Sequence, residues 1–157
     1  MKPDAQPAFK NTAPELLKDY PIILTLPILW GDQDAFGHVN NVVYFRWCES
    51  ARVAYLNDTG LQDLMSQSNL GPILASIKCD YLRQLNFPDT VRIGARITRI
   101  GTKSVSMEHA IYSEALQAIA AKSDSVVVLF DYAGQKSCAI PAEVRAKIAA
   151  IEAKPFA

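Results

Sequence analysis

At 157 residues, half of them hydrophobic, the chain is long enough for one domain with a core of its own. Sixteen basic and sixteen acidic residues cancel, and no run of Lys or Arg concentrates charge, which argues against a nucleic-acid partner. No apolar stretch approaches the length of a membrane span, no leader with a basic start and apolar core is visible, and Cys48, Cys79 and Cys138 lack metal spacing, so the expectation is a reduced, cytoplasmic protein that does not enter a membrane.

Residues 1–19, with Pro3, Pro7 and Pro14, read as an N-terminal extension, and 20–157 as the domain. Within the extension, Thr12, Pro14 and Glu15 suggest a capping box for a short helix. Ile22 to Trp30 is apolar and β-branched enough for a strand, which Pro21 and Pro27 assign to an edge or a bulge. Gly31 to Asn40 is then a loop. Apolar residues recur at Val43, Trp47, Ala51 and Ala54, flanked by Tyr44, Cys48 and Tyr55, so the spacing predicts a helix from about Val42 to Asn57, with the two asparagines as caps and Gly60 as the stop.

Leu61 to Gly71 reads as a loop, and the remainder is mostly strand. Ile73 to Leu85 alternates, and Val91 to Ile100 puts Val91, Ile93, Ala95 and Ile97 on one face. Gly101-Thr102 turns the chain into Lys103 to Ser113, where Val105, Met107, His109 and Ile111 share a face. Ser125 to Tyr132 is an apolar strand ending at Ala133-Gly134, and Pro141 opens a last helix carrying Val144, Ile148 and Ile151 at helical spacing. Strand, helix, four strands, helix makes an α+β domain in which one long helix lies across an antiparallel sheet. His109 is expected to be a core histidine with its hydrogen bonds satisfied, and Cys48 and Cys79 to be core residues.

Chemistry concentrates in Asp34-Ala-Phe-Gly37-His38-Val39-Asn40-Asn41. A loop carboxylate stands just ahead of a helix start, where unpaired N–H groups and the positive end of the helix dipole stabilise developing negative charge. Asp34 also suits a turn before Gly37, bonding its own backbone. Asn40 suits either a helix cap or a group orienting a carbonyl or water, and His38 either a water-positioning group or a bond to the loop backbone. Glu49, two turns into the helix, either reaches the site or pairs with Arg46 or Arg52, while Asp32 is expected to serve the loop. His38 and His109 do not suggest a metal pair.

Trp30-Gly31-Asp32-Gln33-Asp34, then His38-Val39-Asn40-Asn41, Tyr44, and Glu49 with Ala51-Arg52 resemble the signature of hotdog-fold acyl-CoA thioesterases of the 4-hydroxybenzoyl-CoA thioesterase type. Asn86-Phe87-Pro88-Asp89-Thr90-Val91, Ile100-Gly101-Thr102-Lys103-Ser104 and Ile140-Pro141 extend the likeness over roughly residues 20–150. The resemblance implies a hotdog fold, an antiparallel sheet of about five strands wrapped around one long helix with a C-terminal helix. It implies an acyl-CoA substrate, no cofactor, and a homodimer or homotetramer. Asp34 would be general base or nucleophile, the Asn41 N–H the oxyanion donor, and Asn40, His38 and Glu49 helpers. Tyr44 would pack at the acyl pocket and Lys103, with Arg99 in reserve, would meet the coenzyme A phosphates, although Gly101-Thr102 replaces two arginines found in relatives. Alternatives on the same fold are an acyl-carrier-protein thioesterase, a hydratase, and a noncatalytic acyl-binding or assembly module.

Overall fold

The computed structural model describes residues 14–156. Its elements are β1 (Ile22–Pro27), α1 (Asn41–Asp58), α2 (Leu61–Gln67), β2 (Leu70–Tyr81), β3 (Thr90–Ile100), β4 (Ser104–Ser113), β5 (Ala118–Asp131), β6 (Lys136–Ser137) and α3 (Ala142–Ile151). The five long strands form one antiparallel sheet in the order β1-β3-β4-β5-β2, and β6 pairs with β5 at Phe130 and Asp131, beyond the last β4 partner, Val128. Helix α1 packs on the inner face, which is the hotdog arrangement. No helix among the described residues is long and apolar enough to cross a membrane.

The faces follow the sequence alternation. Val91, Ile93, Ala95 and Ile97 of β3 are fully buried, and Val105, Met107, His109 and Ile111 of β4 nearly so, all beneath the α1 stripe of Val43, Tyr44, Trp47, Cys48, Ala51 and Tyr55. A second, smaller cluster sits on the opposite face, where Leu17 and Tyr20 pack with Ala110 and Tyr112. Leu17 is completely buried although it belongs to the stretch read as an extension. Gly94 makes this packing possible, since a Cβ there would stand 2.6–2.9 Å from atoms of Tyr20. The Tyr20 hydroxyl donates to Glu108 Oε1 at 2.7 Å, and Arg96 grips both oxygens of the same carboxylate.

Several boundaries differ from the sequence reading. The first strand stops at Pro27, whose ring cannot continue a ladder, and Trp30–Asp32 form a 3-10 turn instead. Leu61–Gln67 is helical rather than loop, and β2 begins at Leu70 and ends at Tyr81, so Leu82 to Leu85 leave the strand. β5 starts seven residues earlier than Ser125, at Ala118. Glu15–Leu17 form a single 3-10 turn with no side-chain cap at Pro14, while Thr12 lies outside the described residues. His109 is buried as expected, but neither ring nitrogen has a hydrogen-bond partner among the described residues.

Candidate active site

The loop from β1 to α1 closes as a miniature hairpin. Gln33 and Val39 form an antiparallel bridge, the Asp34 N–H donates to the His38 carbonyl at 2.8 Å, and the Gly37 N–H donates to the Asp34 carbonyl at 3.0 Å. Gly37 takes φ +78°, a conformation that a side chain would strain. The Asp34 carboxylate accepts on Oδ1 from the Phe36 N–H at 2.8 Å and, more weakly, from the His38 N–H at 3.4 Å. Among the described residues nothing bonds Oδ2. The turn role and an available carboxylate oxygen therefore coexist on one side chain.

The segment between β2 and β3 clasps this hairpin. The Val39 N–H donates to the Leu85 carbonyl, the Asn86 side-chain amide donates to the Gly37 carbonyl at 2.7 Å, and the Phe87 N–H donates to Gln33 Oε1. Asp32 is a support rather than a reactive group. Its buried carboxylate accepts from the Leu29 N–H at 2.8 Å and from Arg46 at 2.6 Å, so Arg46 is not Glu49's partner.

Helix α1 begins with its donors apportioned. Asn40 Oδ1 accepts from the Val42 N–H at 3.0 Å, and the Asn40 carbonyl accepts from the Val43 N–H at 3.0 Å. Among the described residues the Asn41 N–H has no acceptor, as expected of a first-turn amide. Its own carbonyl accepts from the Tyr81 hydroxyl at 3.1 Å, which ties the end of β2 to the helix start. Tyr44 is buried between Trp47 and Tyr81, with ring centroids 5.3 and 5.0 Å away, and burial pushes its phenol up to about 12, so it stays neutral.

One open cleft is lined by Asp34, His38, Asn40, Asn41 and Tyr44 on one side and by Tyr81, Leu82, Arg83 and Gln84 on the other. Five of the expected site residues thus meet. Glu49 does not line this cleft; it is exposed on α1 and makes no ion pair among the described residues. Lys103 and Arg99 are exposed at the far end of β3. Eleven residues of strand separate that hairpin from the Thr90 end beside the cleft, roughly 30 Å. Tyr81, Arg83 and Gln84 were not anticipated, because the sequence reading carried the strand through Leu85. Topology is the signal that finds them: Pro27 pairs with Thr90, so the residues before Thr90 must lie beside those after Pro27.

Donors suited to an anion, a carboxylate and a cleft open to solvent are the parts needed for attack on an acyl carbonyl. Among the described residues no group of three His, Cys, Asp or Glu side chains could hold a metal ion. Residues 28–148 match the model of the thioesterase-like superfamily. A thioesterase from Thermus thermophilus, solved with coenzyme A and zinc, is 29% identical and superposes with a TM-score of 0.78, covering 88% of this chain and 99% of that one. The long-chain acyl-CoA thioesterase FadM of Escherichia coli is 26% identical over 115 residues, 73% of this chain and 87% of FadM. The protein YsmA of Bacillus subtilis is 29% identical over 82 residues, 52% of this chain, and the match spans about half, 54%, of YsmA.

Proposed function

Because the chain belongs to the thioesterase-like superfamily, whose chemistry is thioester hydrolysis, we propose that it cleaves acyl-coenzyme A to a free carboxylic acid and coenzyme A. The observation that carries this reading is the meeting of the Asp34 carboxylate and the unpaired Asn41 N–H in one cleft. In the general-base form, Asp34 takes a proton from water as the oxygen adds to the thioester carbon. The Asn41 N–H then receives the developing oxyanion. Collapse of the tetrahedral adduct breaks the C–S bond, and the sulfur leaves as thiolate and takes up a proton. In the nucleophilic form Asp34 itself attacks, and water resolves the mixed anhydride. His38 and the Asn40 amide stand at the cleft wall to orient water or the substrate carbonyl. A single oxyanion donor is worth about 3–4 kcal/mol of transition-state stabilisation.

The enzyme acts as a dimer or tetramer in this proposal. Val42 and Val53, 66% and 50% exposed on α1, are apolar surface that a second copy would cover. The site of action is cytoplasmic.

The test is thiol release from short-chain, long-chain and aromatic acyl-CoAs by the parent, Asp34→Asn and Asp34→Ala. The expected result is turnover by the parent and a loss of at least about a hundredfold in kcat for both variants. Turnover that survives both changes would remove Asp34 from the mechanism, and tight binding without release would favour an acyl-binding module.

A further inference from the structure

Beneath the middle of α1 the inner face of the sheet turns polar. The strand registers align Ala95, His109, Ser123 and Cys79 directly opposite one another across β3, β4, β5 and β2, and Ser125 lies two residues along β5 on the same face. His109, Ser123 and Ser125 are 0%, 1% and 3% exposed. On the helix above, Arg52 is 9% exposed, and its charge reaches His109. Its Nη1, both ring nitrogens of His109 and the Ser125 hydroxyl have no hydrogen-bond partner among the described residues, and the Ser123 hydroxyl meets the Cys48 sulfur.

The charge on this band is one-sided. Burial, and next the charge of Arg52, push the His109 imidazole down to about 4, so the ring is neutral at ordinary pH. The guanidinium cannot shed its proton in the same way. Glu49, one turn earlier on α1, is exposed and supports the Arg52 charge only through space, without an ion pair, and Glu108 is engaged by Tyr20 and Arg96 on the other face of the sheet. A guanidinium, an imidazole N–H and two hydroxyls can all donate, and among the described residues no carboxylate lies within ion-pair distance of Arg52. Water would serve the hydrogen bonds but not the charge, and a buried cation without a counter-charge in direct contact is unfavourable.

We propose that Arg52, His109, Ser123 and Ser125 form a buried site for a small monovalent anion of halide size, held between α1 and the sheet. The residual exposure of Arg52 marks the route of entry. The ion cross-links the helix whose first turn forms the catalytic cleft to the strands below it, and it takes no part in the reaction.

The test is thermal melting of the full chain while sodium gluconate is exchanged for sodium chloride or bromide at constant ionic strength. The parent should show a saturable rise of about 3 °C or more once halide is roughly tenfold above its Kd. Arg52→Met should abolish the rise. Should that variant not fold, Ser125→Ala keeps the charge and should weaken halide affinity several-fold. A crystal grown in bromide should carry an anomalous peak within hydrogen-bond distance of Arg52 Nη1. Equal melting temperatures in gluconate and halide, an unchanged halide effect in Arg52→Met, or a water in place of the bromide peak would each overturn the proposal.

Discussion

Asn40 shows how closely structure and chemistry are superposed at single residues. Its side chain caps α1 through the Val42 N–H, and its carbonyl takes the Val43 N–H. Asn40→Ala should cost about 1 kcal/mol of stability, visible as a fall of about 2–4 °C in Tm. Asn40→Ser should retain most of it, because a hydroxyl also caps. If kcat falls in the serine variant while Tm holds, the amide has a role in turnover beyond the cap. His109 permits a second prediction. Its folded-state pKa of about 4 lies below the unfolded value of 6.5, so between these pH values the unfolded chain binds more protons and stability rises with pH. The full effect is about 3 kcal/mol, present above pH 6.5, lost progressively down to pH 4, and flat below. In gluconate buffers His109→Gln should flatten the slope of Tm against pH within that window. Residue identity was the most legible part of the site in the sequence. Asp34, His38, Asn40 and Asn41 are adjacent along the chain, so one hairpin turn brings them together. Glu49 depends on the rotation of α1, which no local pattern fixes.

At the scale of elements, the ladder between β3 and β4 slips by one residue after Ile97. The bulge frees the Ile97 N–H from the sheet, and Glu152, at the end of α3, accepts it at 2.6 Å. The same oxygen accepts from the buried Tyr55 hydroxyl at 2.6 Å, so one carboxylate fastens α1, β3 and α3 together. Glu152→Ala should lower stability by about 1–3 kcal/mol, read from the urea midpoint. Tyr55→Phe should cost less, since the Ile97 bond persists. Alternation revealed the buried faces of β3 and β4 because each has one face under α1. It did not reveal α2, whose seven residues are too short for a helical period to stand clear of a loop. Nor did it reveal the early start of β5, where Ala118 to Asp124 mixes small and charged residues and pairing with β2 and β4 decides the conformation.

For the whole molecule, the separation of Lys103 from the cleft decides how coenzyme A could be held. A nucleotide bound by Lys103 would lie roughly 30 Å from Asp34 of its own chain. If Lys103 serves catalysis, it serves the cleft of another subunit. Mixing Lys103→Glu with Asp34→Asn subunits should then restore activity by creating sites with both residues intact, whereas action within one chain predicts no recovery. Recovery is read as thiol release after the two variants are co-refolded. The sequence could order these residues along the chain but not measure across it, since that distance is set by strand length and sheet order.

The hydrogen bond from Tyr81 to the Asn41 carbonyl joins an unpaired sheet margin to the first residue of α1. Whatever docks along β2 therefore pulls on the residue whose N–H receives the reacting oxygen in the proposed mechanism. If a second copy of the chain docks there, dilution should slacken the grip and turnover per chain should decline at low protein concentration, and Tyr81→Phe should mimic that decline even in concentrated solution.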